Sequence, residues 1–190
     1  MWALLRGNRD VRLLFIAQLI SYLGDWFATV ALMGWVTYQG YRLSAGALPA
    51  RAHIGFALFG MVVTLFTQTM TLFYFVGTGS RIKKVVRDYR LDAALVGRTV
   101  RLKARLFPWL TFTPLVTMGA FILGGGAHTR VLPAWVHGGL AILALVMNVI
   151  TAAIAVFCIG ENVVLIDAID AQLPEHAGEE DTGRLPQPPA

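Results

Sequence analysis

Three groups of residues in this 190-residue chain have the types and spacing to do chemistry. The first centres on a carboxylate, Asp25, in the stretch YLGDWF (Tyr22–Phe27) of an otherwise apolar run. A charged side chain at the middle of a membrane helix costs roughly 2.5–3.5 kcal/mol on insertion scales, so it is expected to face protein or water. Thr64 and Gln68, Thr117, and Asn148 and Thr151 fall at comparable depth in three further apolar runs. Asp25, Gln68, Thr117 and Asn148 are therefore expected to form an intramembrane polar cluster. Two roles fit it: glue between helices, or a proton- or substrate-responsive site around the carboxylate.

The second group is His53, His128 and His137, which fall beside the same ends of the apolar runs. Neutral imidazole is a common ligand of haem iron and of transition metals. Haem or a metal ion held between neighbouring helices is the cofactor such a set would take. Histidines at a membrane interface also occur without any ligand, and no H-E-x-x-H or comparable signature is present. The Gly/Pro-rich stretch GGGAHTRVLPAWVH (Gly124–His137) is expected to turn tightly and hold His128 near His137.

The third group is YFVGTGSRIKK (Tyr74–Lys84), with Arg81, Lys83, Lys84 and Arg87. A glycine-rich bend entering a helix can hold a phosphate on its backbone N–H groups. The G-x-x-x-x-G-K-[ST] pattern is missing, so a lipid phosphate is the ligand of this kind to expect. Close helix packing at small residues is the alternative. No Ser/His/Asp set, paired carboxylate site or dinucleotide fingerprint accompanies these groups. Cys158 stands alone, which leaves no disulfide framework or Cys metal motif. The chain is expected not to be an enzyme.

The elements that must position these residues follow from composition. Hydrophobic residues make up 56% of the chain and charged ones 14%, with a mean hydropathy of +0.62, whereas soluble domains carry about 25% charged residues. The solvent implied is lipid. Four runs, Leu13–Thr37, Ile54–Gly77, Leu106–Leu123 and Ala134–Ile159, are long enough for a hydrocarbon core that takes about 20 helical residues to cross. Backbone polar groups cannot be left unpaired in lipid, so these runs must be helices. The fold class is an all-α membrane protein, with four transmembrane helices in one domain over residues 1–173. The first run exceeds the roughly 7–15 residues of a signal-peptide core and contains Asp25, so it reads as a retained helix.

Basic residues set the orientation. With four spans, both termini share a side with the second loop, and that side holds thirteen Lys and Arg against three on the other. The positive-inside rule puts both ends in the cytoplasm, as in a multi-pass protein of the inner membrane. The net charge of +5 thus reports topology and anionic lipid, and no nucleic-acid partner is needed to explain it. Ile82, Val85, Val86 and Tyr89 recur with the spacing of one apolar helix face. A turn near Leu91–Asp92 follows, so the second and third spans should project as a basic helical hairpin. Val163–Leu173 reads as a short amphipathic helix. Residues 174–190, acidic and Pro-rich with His176, read as a disordered tail.

From Gly7 to Leu32, GNRDVRLLFIAQLISYLGDWFATVAL resembles the first membrane helix of major facilitator superfamily exporters. The matching pieces are the basic NRDVRLL start, QLIS (Gln18–Ser21) and GDWF with Asp25. The resemblance implies an N-terminus inside and a place for Asp25 near a substrate path. It covers about one-seventh of the chain; the twelve-helix length and the acidic-basic signature after the second helix are both missing. No internal repeat suggests an inverted-repeat transporter.

These observations lead to a non-catalytic accessory or scaffold subunit of a larger inner-membrane complex. Its expected partners are membrane lipids and other membrane subunits, or further copies of itself. One alternative is a haem- or metal-binding redox subunit using His53, His128 and His137. Another is a transporter component with Asp25 in the substrate or proton path.

Overall fold

The computed structural model describes residues 9–47 and 49–173, with side chains from residue 20 onward. The tail from 174 to 190 and the N-terminal residues 1–8 lie outside the described residues, and so do the side chains of the basic start of the exporter-like stretch. Among the described residues there are four helices: α1 (Arg9–Ser44), α2 (Ala50–Asp88), α3 (Ala94–His128) and α4 (Ala134–Asp170). Three of them, α2, α3 and α4, are long and apolar enough to cross a membrane.

All three connections close in the same way. At the end of α1, Gly46 takes a left-handed φ of 72°, and Ala47 N–H returns to Arg42 O at 2.9 Å. At the end of α2, Arg90 (φ 54°) places Leu91 N–H on Val86 O at 2.9 Å. At the end of α3, Arg130 (φ 60°) places Val131 N–H on Gly126 O, also at 2.9 Å. These are Schellman closures, which satisfy carbonyls that the helix end would otherwise orphan. Glycine adopts the left-handed conformation freely, whereas another residue gives up roughly 1–2 kcal/mol.

Such short connections make each helix antiparallel to the next. The bundle is a ring in which α1 meets α2 and α4, and α3 meets α2 and α4; α2 and α4, running parallel, approach across the diagonal. Its cross-section differs from that of a soluble bundle: polar side chains share the interior with an apolar core around Phe75, Leu106 and Leu110, and large apolar side chains also cover the outside. Thr29, Thr64, Thr67, Gln68, Asn148 and Thr151 are buried, while Phe59, Phe66, Phe73, Ile122, Ile142 and Phe157 are exposed. Water drives apolar groups inward, but lipid tails are as apolar as leucine and exert no such force. Polar side chains then gain most by facing one another.

The helices outrun the spans read from sequence. At 1.5 Å per residue the 39 residues of α2 extend about 58 Å, nearly twice a hydrocarbon core of roughly 30 Å. Ile82 and Val86 of its extension pack with Leu95 of α3 and with Leu165 and Ile169 of α4. The helical hairpin around Leu91–Asp92 is present, and α4 braces it. Two local expectations fail. Val163–Leu173 is no separate helix: α4 runs unbroken to Asp170, because the packing of Leu165 and Ile169 continues the face that starts higher in the bundle. Gly124–Gly126 does not form the turn, since α3 continues to His128. His137 and Leu132 fill the space beside it; a Cβ on Gly124 would lie 3.0 Å from His137, and one on Gly126 would lie 3.0 Å from Leu132.

Candidate functional site

The polar interior is organised along the α2–α4 diagonal. At mid-height Gln68 Nε2 donates to Asn148 Oδ1 at 3.0 Å. Asn148 Nδ2 in turn donates to Thr117 Oγ1 of α3 at 3.2 Å and to Ala144 O of its own helix at 2.8 Å. Thr117 Oγ1 donates to Thr113 O at 2.9 Å, and the Thr113 and Thr151 hydroxyls meet at 2.8 Å. Nearer the α2–α3 turn, Asn162 Nδ2 donates to Tyr74 Oη at 3.0 Å. At the opposite end the rings of His53 and His137 stand edge to face with centroids 6.2 Å apart. Hydrogen-bonded pairs thus join α2 to α4 at two heights, and the two imidazole rings face each other at a third. The expected contact among Gln68, Thr117 and Asn148 is present.

Asp25 is outside it. Trp26 (2% exposed), Thr29 (0%) and Met33 (7%) define the inward stripe of α1. Asp25 precedes Trp26 by one residue, about 100° around the helix, and is exposed with Gly24, Phe27 and Ala28. The expected four-residue cluster is therefore corrected to three, with the carboxylate on the outer face of the bundle. Its neighbour takes the interior instead. Trp26 has a buried Nε1 without a hydrogen-bond partner and borders a cavity of ≈ 20 Å³ with Tyr22, Leu23, Val156 and Ile159.

The histidines divide in the same manner. His53 and His137 come together, each in the first turn of its helix, but His128 is exposed at the end of α3 and makes no ring contact or hydrogen bond. Because α3 runs straight through the glycines, it carries His128 one turn past His137, which lies at Gly124 instead. Among the described residues no three His, Cys, Asp or Glu side chains converge as a metal site. Cys158 is fully buried, with Sγ 4.0 Å from Leu102 O.

The phosphate-cradle reading of Tyr74–Lys84 is also corrected. This stretch is continuous helix, so its N–H groups are committed to the helix ladder and cannot receive an anion. Its small residues serve packing: Gly79 is buried against Thr99 and Lys103 of α3. Lys103 therefore lies in a crevice beside Lys83, and burial, then the Lys83 charge, lowers its pKa from 10.5. Arg81, Lys83, Lys84 and Arg87 are exposed around the α2–α3 end, where only the side chains can meet a headgroup. Arg87 also contacts Asp88 at 3.2 Å.

Several partners were not anticipated: Thr29 with Thr67 (3.3 Å), Thr113 with Thr151, and Tyr74 with Asn162. The signal for them is helical periodicity in the polar residues. Thr64, Thr67, Gln68 and Thr71 follow the i, i+3, i+4, i+7 spacing, and all four are buried. No protein-family model, curated protein or solved structure matches the chain.

Proposed function

We propose that this chain is a non-catalytic accessory or scaffold subunit of a larger inner-membrane assembly. In this reading it crosses the bilayer four times, with both termini and the α2–α3 turn in the cytoplasm. The observation that carries it is the outward direction of Asp25. A carboxylate at mid-span has a strong reason to find a partner, since lipid offers it neither water nor a hydrogen-bond donor. It does not turn into the interior, where Gln68, Thr117 and Asn148 bond one another. The remaining source is a neighbouring membrane helix that presents a donor against the α1 face containing Gly24, Asp25 and Ala28. Small residues beside the carboxylate let such a helix approach closely.

The basic end has a complementary part. Arg81, Lys83, Lys84 and Arg87, exposed on the α2 extension, match an anionic cytoplasmic leaflet at about 1 kcal/mol per residue near the surface. The transporter alternative loses its main support, because a path through this bundle would not meet Asp25.

The test is extraction in mild detergent followed by native mass spectrometry. The expected result is a stoichiometric complex with another membrane subunit or a second copy. Asp25→Leu should weaken the association at least about tenfold, or ~1.4 kcal/mol. Asp25→Asn, which keeps hydrogen-bonding capacity, should retain most of it. A monomer throughout, indifferent to both substitutions, would refute the proposal.

A further inference from the structure

We infer that His53 and His137 form a two-imidazole site for a borderline transition-metal ion, of the zinc or copper class, at the end of the bundle that carries the α1–α2 and α3–α4 connections. Four features converge there. His137 Nδ1 lies 2.9 Å from Ala120 O. A backbone carbonyl can only accept, so Nδ1 carries the hydrogen and Nε2 keeps a free lone pair. Metal-binding histidines are commonly fixed in one tautomer by such a bond. His53 is buried at 9% exposure, and its Nδ1 has no hydrogen-bond partner. The 6.2 Å between centroids leaves no direct N–N hydrogen bond, yet it suits an ion between the rings. With metal–nitrogen distances of ~2.0–2.1 Å, two rings on one ion have centroids about 5 Å apart at a tetrahedral angle and about 6.4 Å apart at a linear one. The observed spacing therefore fits near-linear ligation directly, and tetrahedral ligation after the rings draw together by about 1 Å.

The fourth feature is a nearby orphan. Gln39 of α1 is 4% exposed, and its Oε1 is buried without a partner. The next residue, Gly40, touches the His53 ring: a Cβ there would be 3.3 Å from Cε1. If the Gln39 side chain turned toward the rings, its amide oxygen would complete the shell together with solvent; otherwise solvent alone would. The donor set decides the class of ion. Neutral imidazoles suit zinc, copper, iron or nickel, whereas calcium and magnesium require mostly oxygen.

Binding would clamp α2 to α4 across the diagonal, and it stands apart from any partner at Asp25. The experiment uses the full chain, stripped of metal and reconstituted in nanodiscs, titrated with Zn²⁺ alone and, under reducing conditions, with Cu⁺ alone. One equivalent of at least one ion should bind saturably. His53→Ala and His137→Ala should each weaken binding at least about 100-fold, and His128→Ala should leave it unchanged. A measurement on the unmodified chain guards against misfolded variants: bound metal should protect His53 and His137, but not His128, from diethyl pyrocarbonate. The site is disproved by no stoichiometric binding, by binding that survives both substitutions, by protection that omits either histidine, or by a Soret band in the purified protein.

Discussion

Asn148 uses three of its four hydrogen-bonding positions, accepting from Gln68 and donating to Thr117 and Ala144. Replacing it with leucine preserves much of its bulk and strands the Gln68 amide, whose Oε1 already lacks a partner. Leaving a buried donor unmade costs about 1–3 kcal/mol, while interhelical hydrogen bonds in membranes are worth about 0.6–2. Asn148→Leu should therefore destabilise the bundle by about 1–2 kcal/mol. A double-mutant cycle with Gln68→Leu, read by reversible unfolding in mixed micelles, should return a positive coupling of about 0.5–1.5 kcal/mol. Zero coupling would mean that the two amides do not support each other. Lys103 makes a prediction about pH. Its folded pKa is below 10.5 through burial and the Lys83 charge, so the unfolded chain binds that proton more tightly. Stability must then rise with pH from the lowered value up to about 10.4, and the penalty is fully present below that window. Lys103→Met should raise the unfolding midpoint at pH 7 and flatten its climb toward pH 10. An unchanged slope would place the titration elsewhere.

At the scale of elements, the contact between α2 and α3 depends on a missing side chain. A Cβ on Gly79 would lie 2.9 Å from Thr99 Cγ2 and against the end of Lys103. Lysine can swing away; the β-branched threonine, buried beside its own backbone, cannot. Gly79→Val should destabilise by about 1–3 kcal/mol, as overpacking usually does. Gly77, two residues earlier, has nothing within 4 Å, and Gly77→Ala should be neutral or stabilising by up to about 1 kcal/mol from helix propensity. Equal effects in thermal unfolding would refute the distinction. This contrast also shows what could be read from the residues. Run length and backbone chemistry were sufficient for the helices, and the i, i+3, i+4 pattern of Ile82, Val85 and Val86 for the α2 extension. Direction around a helix was harder, since in lipid both faces of α1 carry large apolar residues, Trp26 and Met33 on one and Phe27 and Trp35 on the other. That ambiguity left the cost of a charge in lipid as the sole guide to Asp25, and it pointed inward where the helix turns outward. The threonine and amide spacing of α2 points inward with less ambiguity, which is why Gln68 was legible and Asp25 was not. The continuity of α3 through three glycines depended on Leu132 and His137, contacts that no local pattern encodes.

Across the whole molecule, adhesion is unequal. The polar bonds that join α2, α3 and α4 are 2.8 to 3.2 Å long, whereas α1 is held by Thr29–Thr67 at 3.3 Å and Tyr22–Met70 O at 3.4 Å. Hydrogen exchange in nanodiscs should therefore find the α1 amides around Thr29 opening before those around Asn148, because local stability follows such contacts. Protection that is uniform over the four helices would contradict this. The weaker hold has a consequence for biogenesis. Helix α1 leaves the ribosome before the three helices it could pack against, and all of its interhelical contacts depend on them. In the proposed four-span reading it would wait in the bilayer, its outer carboxylate uncovered, until α2 and α4 have met along their diagonal. Of the four helices the one made earliest would then be the last locked in place, and during that interval it would be free to pair with a helix from another chain.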